Sequence, residues 1–327
     1  MRRPRLVLAT VVLVAVSGLA ACGLGTAGGV VPEAALAGPL AEEQESLDGA
    51  EISVGSKSFT ESILLGKIAL ILLQAAGADV TDLTNIPGSA AARQALLEGE
   101  VDGLWEYTGT AWLTYLGHAD PIADEQEQYE AVRDEDAGNG VAWLPPAPMN
   151  NTYGFAVTAE TQERLGVETL SDIADVPVAQ RTFCVESEFA NRPDGLNGML
   201  RTYGIPRGSA NGVPERNIQI YQTGAIYDAT AQGRCNFGEV FTTDGRILAL
   251  DLRVLEDDKH FFPNYNVAFV VREDVLEEHP EIADLIDPVS AELTDEALTE
   301  MNAAVDVDGD DPADVALAWL RDEGFVT

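Results

Sequence analysis

Positive charge is what this chain of 327 residues has least of. It carries 19 Lys and Arg against 55 Asp and Glu, a formal net charge of −36. No basic face can be built from so few cations, which excludes nucleic acid as a partner. The surface stays hydrated and self-repelling. Lysine is rarest, confined to Lys57, Lys67 and Lys259, so each calls for a reason. Histidine is equally scarce, and His118, His260 and His279 stand in no metal-binding or triad spacing. No G-x-S-x-G and no phosphate-binding loop occurs. Neither a metal nor a cofactor is called for, and an enzyme reading lacks its usual groups.

What is present begins with a basic stretch, Met1-Arg-Arg-Pro-Arg5, and an apolar run, Leu6–Val16, too short to span a bilayer comfortably. Leu19-Ala20-Ala21-Cys22 follows and looks like the lipobox of a bacterial lipoprotein. That likeness implies a signal peptide over 1–21, a lipid-bearing Cys22, and a domain held on the extracytoplasmic face of the membrane. Loss of Arg2, Arg3 and Arg5 would take the charge from −36 to −39. Residues 22–50, rich in Gly, Ala, Pro and Glu, read as a flexible tether. Of three cysteines, Cys184 and Cys235 remain. The exported setting favours a disulfide between them over two buried thiols.

From Ile52 to Leu104 strands and helices alternate, the pattern of a parallel sheet covered on both faces. Ile52–Val54 is a strand, and Ser58 followed by Glu61 reads as a capping box. Ile63–Ala76 is a helix apolar nearly all round, stopped by Gly77. Ligands in such sheets collect at the carboxyl ends of strands. Lys57, Ser89 and the Tyr107–Thr110 turn all fall there. Around that turn lies LWEYTGTAWLTYL (104–116), which places Tyr107 and Thr110 at a helix N-terminus, where anions are favoured. Aromatic faces beside an anion-friendly helix end suit a small ligand with a cationic and an anionic end. The aromatics could equally be helix packing.

Further on, Pro145–Pro148 breaks the chain, and Asn150-Asn151-Thr152-Tyr153 leads into a strand over 154–158. Thr161–Ala174 is expected helical and Leu248–Leu255 a returning strand. The acidic run from Asp306 to Asp311 misses the calcium-loop spacing. Asp311 instead caps a final helix that opens with Pro312.

The segments GSKSFTES (55–62), VDGLWEYTGTA (101–111), NNTY (150–153), EFANRPDGL (188–196), FTTDGRI (241–247), FFPNY (261–265) and the stretch from Asn302 to Leu320 occur in this order. Together they resemble the extracytoplasmic substrate-binding proteins of ABC importers for glycine betaine, choline and related quaternary-ammonium osmoprotectants. The resemblance implies an α/β fold of two lobes joined by hinge strands, with a ligand cleft between them. Lobe I would be 52–150 plus 266–327, and lobe II 151–265. It implies delivery of the ligand to an ABC permease.

A quaternary ammonium has no N–H to donate, so aromatic faces must hold it through cation–π attraction. The matching positions are Tyr107, Tyr153, Phe241 and Tyr265, with phenylalanine at 241 where tyrosine is usual. Lys57, Thr110 and Arg192 match the residues that meet a betaine carboxylate. On the premise that choline would leave both cations unpaired, betaine is expected to bind at least about tenfold more tightly. A choline-preferring receptor, or a secreted hydrolase of choline esters, is the alternative.

Overall fold

The computed structural model describes residues 30–327, so the leader and Cys22 lie outside the described residues. Ten strands are laid down in chain order: β1 (Glu51–Lys57), β2 (Asp79–Ile86), β3 (Gly103–Tyr107), β4 (Val141–Trp143) and β5 (Tyr153–Thr158), then β6 (Phe183–Glu186), β7 (Ile218–Tyr221), β8 (Phe237–Phe241), β9 (Leu252–Val254) and β10 (Val267–Arg272). They assemble into two five-stranded sheets, ordered β2-β1-β3-β10-β4 and β7-β6-β8-β5-β9. Each sheet with its flanking helices forms a lobe, the two-lobed α/β architecture of periplasmic binding proteins. The chain passes between lobes twice, over 144–152 and 255–266. The parallel pairing expected early in the chain is present, since β1 lies parallel to β2 and β3. β10 arrives from the second lobe and runs antiparallel to β3 and β4.

Helix α1 (Thr60–Ala75) follows β1 and is buried along nearly its whole length, Leu64 to Leu73 being within 1 % of full burial apart from Lys67. Its composition explains this, because a helix apolar on every face finds no stable place at the surface. Gly77, at φ 100°, ends it. The expected capping box does not form. The helix is preceded by Phe59 with no side-chain cap, and Glu61 is turned inward, 2 % exposed. The predicted tether is also shorter than expected, because Leu36, Leu40 and Leu47 are buried against α1 and the C-terminal residues Phe325 and Val326. The backbone of Ala37 donates to the Phe325 carbonyl at 2.7 Å.

Two local expectations give way to turn chemistry. The helix predicted over 161–174 stops at Leu165, where Gly166 takes the left-handed conformation at φ 66°; a separate short turn covers Ser171–Asp175. The returning strand predicted over 248–255 begins instead with a helical turn, Arg246–Ala249, leaving only β9 as strand. The final helix Pro312–Asp322 is capped as read, the Asp311 carboxylate accepting from the Ala313 amide. Cys184, in β6, and Cys235, just before β8, are disulfide-bonded with Cα atoms 5.8 Å apart. The bridge ties β6 to the segment entering β8 from 51 residues downstream.

Candidate functional site

The carboxyl ends of β1, β3 and β8 and the second crossing segment converge on a cleft of about 120 Å³ between the lobes. All seven expected ligand-contact residues line it: Lys57, Tyr107, Thr110, Tyr153, Arg192, Phe241 and Tyr265. The strand register explains the meeting of Tyr153 and Phe241, which sit opposite each other across β5 and β8. Tyr107 ends β3, and a helical segment starts at Thr108 and continues in wider turns to Tyr115. Gly109 lets that segment close up, because a Cβ there would lie 2.6 Å from the Asn264 carbonyl and 2.9 Å from the Tyr265 ring.

One end of the cleft is aromatic. The Tyr153 ring centroid lies 5.3 Å from Phe241 and 5.4 Å from Tyr265, the latter at 90°. Phe59, absent from the expected set, closes the box at 5.9 Å from Tyr107 and 5.3 Å from Phe241. Its signal was available, since Phe59 falls two residues beyond Lys57 in the same loop. Two of the three tyrosine hydroxyls of the box turn to acids. Tyr107 donates to Glu61 at 2.7 Å and Tyr265 to Asp194 at 2.5 Å. Both hydroxyls stay protonated, burial and the neighbouring carboxylate each raising their pKa.

The other end is charged, and it differs from the sequence expectation in one respect that matters. Neither cation is bare. Lys57 Nζ lies 2.8 Å from Glu106, whose second oxygen accepts from the Tyr115 hydroxyl at 2.8 Å. The same ammonium sits 4.5 Å from the centroid of the Tyr107 ring. Arg192 makes a two-pronged pair with Asp194, at 2.9 and 2.5 Å, and reaches Glu188 at 3.2 Å. Its remaining bond runs to the Thr110 hydroxyl at 3.3 Å, joining the two lobes. Burial opposes the guanidinium charge, but the tyrosines and Asp194 around it raise its pKa further. A ligand carboxylate therefore joins an existing ion-pair network. The premise that choline would strand two unpaired cations is corrected.

Acids outnumber cations along this wall. Glu186, Glu188 and Glu239 line the cleft with Lys57 and Arg192. Glu188 accepts from the Ser89 amide at 3.0 Å, at the start of helix α2 (Ser89–Leu97), and its pKa is lowered: burial works against this, while the bonds from Ser89 and the charge of Arg192 outweigh it. Glu239 is the opposite case. It accepts the Glu186 amide at 2.7 Å, and burial pushes its pKa up to about 8. Sequence reasoning missed Glu106, Glu239 and Asp194. Only Asp194 left a local signal, two residues after Arg192; the other two act across strands.

Comparison with known proteins bears on this geometry. Residues 50–322 match OpuAC, described as the substrate binding domain of an ABC-type glycine betaine transport system. A glycine-betaine-binding protein of Pseudomonas aeruginosa is 39% identical over 279 residues, covering 83% of this chain and 87% of that protein. The structure of apo YehZ from Escherichia coli superposes with a TM-score of 0.62 at 31% identity, over 85% of this chain and 100% of that one. A glycine betaine/carnitine/choline ABC transporter structure gives a TM-score of 0.67 at 27% identity, over 83% and 98% of the two chains.

Proposed function

Because this chain belongs to the substrate-binding proteins of ABC-type glycine betaine transport systems, we propose that its interlobe cleft holds glycine betaine or a closely related quaternary-ammonium solute. The observation that carries the reading is the box of Phe59, Tyr107, Tyr153, Phe241 and Tyr265 beside a wall of paired charges, in a space of about 120 Å³. The rings take the trimethylammonium group by cation–π attraction and keep water from it. Thr110 and the N–H groups of Arg192 take the carboxylate, and Lys57, 4.5 Å from the Tyr107 ring centroid, adds positive potential. No histidine lines the cleft beside Ser58 or Ser89, so the serine–imidazole pair common in ester hydrolases is not assembled there.

The leader supports an extracytoplasmic receptor anchored through a lipid on Cys22, which hands its ligand to the transmembrane subunits of an ABC permease. Mass spectrometry of the membrane-extracted chain should find a diacylated Cys22; an unmodified chain starting elsewhere refutes the anchor.

Titration calorimetry on the chain from Val30 onward, which keeps the buried Leu36, Leu40 and Leu47, tests the ligand. Glycine betaine should bind, and choline more weakly. Since both cations are already paired, the margin shrinks below the tenfold expected from bare charges, that is below about 1.4 kcal/mol. Choline binding as tightly as betaine makes this a general quaternary-ammonium binder, and choline binding more tightly makes it a choline-preferring receptor.

A further inference from the structure

Three sequence segments that resemble the family have no contact with a ligand in the reading above: the Glu61 end of GSKSFTES, the TTDGR following β8, and the stretch from Asn302 to Asp306. They meet in one seam directly behind the aromatic box, with only about 10 Å³ of space left in it. Glu61 is the centre. Its carboxylate accepts from the Tyr107 hydroxyl at 2.7 Å, Asn151 at 2.8 Å, Thr243 at 2.5 Å and Asn302 at 3.2 Å. Tyr107 and Asn302 belong to the lobe of the first sheet, Thr243 follows β8 of the second, and Asn151 lies on a crossing segment.

A carboxylate 2 % exposed, with no cation beside it among the described contacts, is tolerable only while donors surround it. Parting the lobes would take Thr243 away. Beside this point Arg246 pairs with Asp306 across the same seam at 3.0 Å, and Asp306 also accepts from Thr60 at 2.6 Å. Between the two ties Gly245 lies so close to the helix opposite that a Cβ would fall 2.5 Å from the Ala303 Cβ. Its φ of −61° suits any residue; what demands glycine is the closeness of the other lobe.

We propose that Glu61 is a positioning residue that fastens the two lobes together and, through the same carboxylate, fixes the Tyr107 ring of the ligand box. Closing the lobes and completing the box are then one event. The inference deepens the betaine reading, on which it rests for its probe. Glu61 touches no ligand; it acts through Tyr107 on one side and Thr243 on the other. Hinge closure of this kind slows escape of a ligand already inside.

The test uses stopped-flow fluorescence of the Val30-onward chain with glycine betaine, on wild type, Thr243→Val and Gly245→Ala. Neither substituted residue lines the ligand cleft. Each should raise the dissociation rate about tenfold: Thr243→Val by losing one hydrogen bond to the buried carboxylate, Gly245→Ala by crowding the seam against Ala303. The association rate should stay within about twofold. Glu61→Gln should lose more, because it also frees Tyr107. Dissociation unchanged in both Thr243→Val and Gly245→Ala overturns the proposal. So does a Gly245→Ala chain whose ligand-free melting temperature collapses, since a permanent contact rather than a closing seam would then be at issue. If wild type binds no betaine, the ligand reading fails and the seam is judged separately. Small-angle scattering of the ligand-free chains should then show Gly245→Ala with the larger radius of gyration, and equal radii overturn the seam as well.

Discussion

The two ends of the cleft solve opposite problems. The aromatic end holds its five rings by packing, centroid to centroid at 5.3–5.9 Å along the chain of contacts from Tyr107 through Phe59, Phe241 and Tyr153 to Tyr265. It works by excluding water and needs no net charge. The charged end consists of Lys57 and Arg192 with Glu106, Asp194 and Glu188, every member held by another before any ligand enters. Buried cations without partners would be costly to fold. The protein supplies those partners and accepts a weaker pull on the ligand carboxylate. Affinity is thus expected to come mainly from the rings, and orientation from the charges.

Arg192→Ala presses on this comparison hardest. The side chain is 3 % exposed, and its loss leaves Asp194 with only the Tyr265 hydroxyl and Glu188 with the Ser89 amide. Removing one member of a buried ion pair costs about 3–5 kcal/mol. Denaturant unfolding should show a loss of that order, together with the loss of any preference for betaine over choline. A variant as stable as wild type would mean that water reaches these acids and the end is not a closed network.

Glu239 gives the next effect, through pH. Its pKa, raised by burial to about 8 from 4.5, means that the folded chain holds a proton which the unfolded chain has lost. Between about pH 4.5 and 8 this group makes stability fall as pH rises, with no further change above 8. Its contribution is fully present below 4.5. The fall is on the order of 2–3 kcal/mol once partial relaxation is allowed for. Glu239→Gln should remove that part of the slope and leave the part from Glu61, Asp287 and Asp306, whose pKa values burial also raises. Melting temperatures across pH 5–9 check this, and an unaltered slope in the variant would place the proton elsewhere.

How much of this was readable follows the same division. Four of the five rings were legible, because Tyr107, Tyr153, Phe241 and Tyr265 stand in motifs that resemble a known family, such as LWEYTGT and FFPNY; Phe59 was not. Nor were the acids. Glu106 meets Lys57 from 49 residues away, and in a chain with 55 acids no spacing marks which ones turn inward. Glu61 was misread for a physical reason: Ser58–Glu61 has the spacing of a cap, but burial of the loop against the second lobe offered its carboxylate four better donors. In the fold, α1 followed from a long apolar run stopped by Gly77, and the early strands from their alternation with helices. The end of the 161–174 helix depended on Gly166, and the packing of residues 36–50 depended on contacts with the far end of the chain.

Tyr265 joins the two ends, which makes it a way to separate them. Tyr265→Ala should weaken both betaine and choline by roughly 1–2 kcal/mol, about tenfold, since each ring contributes that much when water is excluded. Tyr265→Phe keeps the ring and removes only the bond to Asp194. It should leave choline nearly unchanged and alter betaine through the Arg192–Asp194 pair. Equal loss for both ligands in the phenylalanine variant would show that the hydroxyl, rather than the ring, sets affinity, and the assignment of tasks to the two ends would break.

The smallest effect is expected at Phe241, and its smallness is informative. Phe241 lines both the ligand cleft and the seam behind it, so its ring is a partition between a dry aromatic box and the hydrogen-bonded network of Glu61. Its position is fixed by backbone pairing with Tyr153 and by the Tyr227 hydroxyl, which accepts from the Phe241 amide at 3.0 Å. Phe241→Tyr would keep the face that a trimethylammonium group meets and add a hydroxyl at the ring's edge. In the seam that hydroxyl would find acceptors and almost no room. In the cleft it would find room, at the cost of setting a polar group beside the rings. Gains and losses nearly cancel, and calorimetry should show betaine affinity within about threefold of wild type, or roughly 0.6 kcal/mol. A tenfold gain would mean that the hydroxyl bonds the ligand directly, and the aromatic end would then be reading polarity as well as excluding water.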